Sequence, residues 1–145
     1  MNSEMIDVDI QQETLIRATP EKVYDAIATS EGLNAWFTTG AEVNARPGGE
    51  MIWRWQDWGP SKVTNEARGP VLEAERGKRF VFQWGNPPTT ISIDFEPHEQ
   101  GTVVRLREHG YPNTLQGRRN LLECASGWGE AITLLKFYVE HGIVY

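Results

Sequence analysis

The chain has 145 residues, enough for one domain whose core needs no disulfide or metal staple. Its 20 acidic against 14 basic residues leave a net charge of −6, which argues against a nucleic-acid partner, because phosphate backbones demand clustered Lys and Arg. The lone Cys124 excludes an intramolecular disulfide, Met1-Asn2-Ser3-Glu4 lacks a signal pattern, and no apolar run approaches ~18 residues, so the expectation is a cytoplasmic protein without stable membrane insertion.

Ile6, Val8 and Ile10 alternate with Asp7, Asp9 and Gln11, which predicts a half-buried strand whose parity resumes at Ile16 and Ala18. Thr19-Pro20-Glu21 then predicts a helix start, with a hydroxyl cap, a first-turn proline and a carboxylate at the positive end. Val23, Tyr24 and Ile27 supply its apolar face. Ser30-Glu31-Gly32 breaks that helix and caps a second short one carrying Leu33, Trp36 and Phe37. Pro47-Gly48-Gly49 is a turn and not a phosphate cradle, because it follows a proline and precedes a strand.

Four aromatic or β-branched alternations follow. Met51, Trp53 and Trp55 share one parity, and a loop is expected from Asp57 to Lys62. An extended segment runs from Val63 to Glu75. Phe80, Phe82 and Trp84 share the next parity, Ile91, Ile93 and Phe95 the one after, and Thr102, Val104, Leu106 and Glu108 the last. Finally Leu121, Ala125, Trp128, Ile132, Leu135 and Val139 recur at helical spacing, so all six lie on one face of a helix from about Gln116 to Glu140, roughly 38 Å long. Asn113 is the expected cap and Gly142 the expected stop. Strand, two short helices, antiparallel strands and one long helix make an α+β domain covering residues 1–145.

That order, together with Ala18-Thr19-Pro20-Glu21-Lys22-Val23, Glu31-Gly32-Leu33-Asn34-Ala35-Trp36-Phe37, Pro47-Gly48-Gly49-Glu50, Gly69-Pro70-Val71-Leu72-Glu73, Phe80-Val81-Phe82-Gln83-Trp84, Gly101-Thr102-Val103-Val104, Gly127-Trp128 and Tyr138-Val139-Glu140-His141-Gly142, resembles the START/Bet v 1-like (SRPBCC) superfamily. Within it the chain is most similar to the Activator of Hsp90 ATPase homologue-like family. The resemblance implies a helix-grip fold: a curved antiparallel sheet, two short helices after its first strand, and a long C-terminal helix across it. It implies little about work, since the superfamily spans lipid and hormone carriers, cyclases, ring-hydroxylase subunits and small-molecule sensors.

The inner parities predict that Met51, Trp53, Trp55, Phe80, Phe82, Trp84, Ile91 and Ile93 face Leu121, Trp128 and Ile132 of the helix. They either fill the space as core or wall a pocket for a small hydrophobic or aromatic molecule. The resemblance places Trp36 and Phe37 near a pocket entrance, as a gate or as a plug. Glu108 is the one weak catalytic candidate: its parity turns it inward, where a carboxylate is costly unless bound, or else the strand ends before it and leaves it solvated. Glu73 carries the same ambiguity, and Arg54 is expected on the outer surface. His98, His109 and His141 have no ligand-like spacing, so neither a metal nor a cofactor is expected. Cys124 reads as an inert buried thiol. Three functions stay open: a ligand-binding protein, a cofactor-independent cyclase- or hydrolase-like enzyme, and a stress- or chaperone-related interaction module. A homodimer is compatible with each.

Overall fold

Seven strands form one antiparallel sheet in the order β1-β7-β6-β5-β4-β3-β2. They are β1 (Ile10–Ile16), β2 (Glu42–Val43), β3 (Glu50–Trp58), β4 (Val63–Glu75), β5 (Arg79–Trp84), β6 (Thr89–His98) and β7 (Gly101–His109). Helices α1 (Pro20–Ala28) and α2 (Ser30–Trp36) follow β1, and α3 (Leu115–His141) ends the fold. This computed structural model describes residues 4–145, so the reading at residues 1–3 lies outside it. No helix among the described residues is long and apolar enough to cross a membrane.

Three threonines start the three helices. Thr19 accepts from the Lys22 N–H, Thr29 from Gly32 and Thr114 from Gly117. The expected Ser30 and Asn113 caps are therefore each displaced by one residue, because a neighbouring threonine takes the extended conformation that a cap needs. Ser30 instead accepts from the Val43 N–H and anchors the two-residue β2, which was too short to announce itself. Gly142 ends α3 at φ 67°, as expected of a left-handed stop.

The inner face of the sheet carries the core. Met51, Trp53, Phe80, Phe82, Ile91, Ile93, Phe95, Val104 and Leu106 are buried, and Trp128, Ile132, Leu135 and Val139 of α3 pack down on them. Tyr24 of α1 covers the opposite end, edge-on to Phe80 and Phe95 at 6.1 and 5.3 Å. Gly69 permits the β4–β5 crossing: a Cβ there would stand 1.7 Å from the Gln83 carbonyl oxygen. No larger residue fits.

One expectation needs correction and two open alternatives are decided. The first strand lies at 10–16 and not at 6–10, since β7 supplies partners only as far as Glu108 opposite Ile10. Before that point Val8 is exposed, and Ile6 packs half-buried against the core while its N–H donates to the Tyr111 carbonyl. Glu73 is not inward, because a bulge between Val71 and Glu73 reverses the parity of β4 and turns it out to Arg79. Glu108 is not solvated: β7 continues through it and buries it completely. Arg54 does lie on the outer face, paired with Glu42 and Glu66 at 2.6 and 2.9 Å.

Candidate functional site

Glu108 organises the region where α3 meets the far ends of the strands. β7 aims its side chain inward, and three donors converge on it from three other elements. The Trp128 indole N–H of α3 donates to Oε1 at 2.7 Å. The Trp84 indole N–H of β5 donates to Oε2 at 3.0 Å, and the Thr89 hydroxyl of β6 donates to the same oxygen at 2.5 Å. Indole nitrogens can only donate, so the carboxylate is their matched acceptor. No cation pairs with Glu108 among the described residues; hydrogen bonds alone offset its desolvation. The two indoles it holds lie stacked, 5.3 Å apart and 16° from parallel.

On one side of that stack lies a cleft of about 250 Å³. Its walls are the rings of Phe37, Trp55, Trp58, Trp84 and Trp128, with Val63 and Ala131, and Glu123 and Glu130 stand along its α3 side. Phe37 meets Trp55 and Trp58 edge-on at 5.3 and 5.4 Å, so neighbouring walls stand nearly perpendicular. On the other side is a crevice of about 430 Å³ between Asn86, Pro87, Thr89, Tyr111 and the start of α3. Trp84 and Cys124 border both hollows. A larger groove of about 760 Å³ runs between α1, α2 and the end of α3, but Lys22, Asp25, Glu31 and Glu140 make it polar.

The thiol and phenol near the stack are both neutral. Burial pushes the Cys124 thiol above its usual range, and Glu108 and Glu123 add to the shift. This half-buried cysteine is poorly nucleophilic. Burial also raises the Tyr111 phenol, whose hydroxyl lies near Cys124 and Glu108 without the geometry of a hydrogen bond. Trp53 is fully buried with an unpaired indole N–H, packed between Phe37, Trp55, Phe82, Trp84 and Trp128.

The residues expected at a pocket divide into two sets. Phe37, Trp55, Trp84 and Trp128 come together at the cleft. Met51, Trp53, Phe80, Phe82, Ile91, Ile93 and Ile132 sit beneath it as packed core, and Leu121 is half-buried on α3. Trp36 is a tie: buried and stacked on Phe37 at 4.8 Å, it donates its N–H to the Ala26 carbonyl. Trp58 was missed as a wall because alternation places it opposite Trp55. Asp57, at φ 50° within a register shift, brings it back to the same side. Among the described residues no group of three or more His, Cys, Asp or Glu side chains is arranged to hold a metal ion.

Comparison with known proteins agrees with this architecture. Protein SSP2350 from Staphylococcus saprophyticus superposes with a TM-score of 0.78 at 25% identity, covering 95% of this chain and 96% of that one. The Aha1 dimer from Colwellia psychrerythraea gives 0.75 at 26% identity, with 93% and 98% covered. NE0264 from Nitrosomonas europaea, at 23% identity, gives 0.73 with 94% of each chain covered and supports the fold alone. No curated protein matches the sequence. The profile described as Activator of Hsp90 ATPase homolog 1-like protein matches residues 17–140, from the end of β1 to the last turn of α3. The chain belongs to the Activator of Hsp90 ATPase homolog 1-like family.

Proposed function

We propose that this chain binds a small, largely apolar or aromatic molecule in the cleft beside the Trp84–Trp128 stack, without cofactor chemistry of its own. The observation that carries this reading is the convergence of five aromatic rings on one open hollow of about 250 Å³. A space of that kind, near the lower end of ordinary ligand pockets, suits one compact ring system or head group. The walls are anchored in advance: Glu108 fixes two of them and the Phe37–Trp36 stack a third. Such preorganisation lowers the ordering cost of binding.

Glu108 gives the enzyme reading no support. Both of its oxygens are occupied by donors, the residue is fully buried, and it borders neither hollow.

Titration with a panel of hydrophobic and aromatic compounds should quench tryptophan emission and saturate at one ligand per chain. Trp55 is half-buried, so Trp55→Ala should leave the fold intact and weaken binding about tenfold, the share of one aromatic wall. A panel that leaves the emission unchanged defeats the proposal. So does a Trp55→Ala variant that binds as tightly as the parent.

The dimeric state of the Colwellia psychrerythraea relative supports self-association here too. Light scattering during size exclusion should then give twice the chain mass, and a mass that stays at one chain across concentrations sinks the idea.

A further inference from the structure

We propose that the aromatic cleft is selective for a cation, and specifically for an alkylated ammonium group such as a trimethylammonium head. The inference deepens the ligand-binding reading above and rests on it.

The charge pattern comes first. Glu123 and Glu130 border the cleft, and no Lys, Arg or His is among the residues lining it. Glu108 adds a third carboxylate directly behind Trp84 and Trp128. An anionic ligand would meet Glu123 and Glu130 and nothing to pair with.

The rings make the same choice. An aromatic face carries the negative part of the ring quadrupole, and indole carries the strongest. Four of the five ring walls are indoles, Trp55, Trp58, Trp84 and Trp128, and the last two lie stacked. Trp84 and Trp128 also donate their N–H groups to a carboxylate. Donation to an acceptor of that charge shifts electron density into the ring and strengthens the attraction of its face for a positive charge.

Alkylation follows from what the cleft lacks. A primary ammonium is strongly hydrated and needs three acceptors once it leaves water. Glu123, Glu130 and Asn65 are all exposed, at the edge of the cleft, and among the rings the lining offers only the Cys124 sulfur. An alkylated nitrogen has no such demand, because its methyl groups pack against the rings while its charge remains. A hollow of about 250 Å³ holds a head group of this kind better than an extended lipid or drug-sized body.

The test uses three probes of one shape: choline, its neutral isostere with carbon in place of nitrogen, and the tert-butylacetate anion. Calorimetry and tryptophan emission on the full chain at low salt should show choline binding at least about tenfold more tightly than the neutral isostere, with the anion not binding. The double change Glu123→Gln with Glu130→Gln alters two exposed positions, so the fold should survive it. It should weaken choline about threefold and leave the neutral isostere unmoved.

Equal or tighter binding of the isostere overturns the cation selectivity while the cleft itself stands. Silence from all three probes, when the apolar panel still quenches emission, overturns it as well. Silence from both sets removes the cleft along with it.

Discussion

Replacing Glu108 with alanine should destabilise the fold by about 3–5 kcal/mol. The change strands two indole N–H groups and the Thr89 hydroxyl in a region where Glu108, Trp128 and Thr89 are almost inaccessible to water. Each loses its partner, the Trp128 and Thr89 groups where water hardly reaches, and a void opens beside them. Glu108→Gln keeps the volume but substitutes an amide for one carboxylate oxygen, so an NH₂ group must face at least one of the three donors. That variant should lose about 1–3 kcal/mol. Urea unfolding followed by far-UV circular dichroism gives both values. A glutamine variant with the parent's midpoint would mean that the three hydrogen bonds do not hold the indoles.

The inner parities of β3 up to Trp55 and of β5, β6 and β7 were legible because large apolar residues recur there at every second position, and the sheet buries what that parity points inward. The long helix was legible for the same reason, at its own period. β1 was hidden because its sequence runs Gln11, Gln12, Glu13 and Thr14 between Ile10 and Leu15. Gln12 lies under α3 and reaches the Ala125 carbonyl, so an inward position is filled by a polar residue. Bulges erased parity at Trp58 and Glu73, and no local residue pattern marks where a register shift falls.

The site was legible only in fragments. The inward aim of Glu108 could be read from β7, but its three partners come from positions 19 to 24 residues away on three elements. Their convergence is a property of the assembled sheet. Glu123 and Glu130 lie off the apolar stripe of α3, and only the lie of that helix above Trp84 places them beside an aromatic hollow.

Trp128→Phe and Trp128→Ala should separate the two duties of this residue. Trp128 is 4% exposed, stacks on Trp84, meets Trp53 edge-on at 6.0 Å and binds Glu108. Phenylalanine keeps most of the ring but removes the N–H that donates to Oε1 of Glu108, at a cost of about 1–3 kcal/mol. Alanine adds the loss of buried ring and a cavity, raising the total to about 3–5 kcal/mol. Combined with Glu108→Gln, the phenylalanine change should be less than additive, because the same hydrogen bond is removed twice. Additive losses would show that Trp128 stabilises through packing alone. The cleft reads the difference independently, since phenylalanine preserves a wall behind Trp84 and alanine opens one. Ligand affinity should therefore survive the first substitution and fall with the second. If both variants bind alike, the hydrogen-bonded stack contributes to folding and not to the shape of the binding surface.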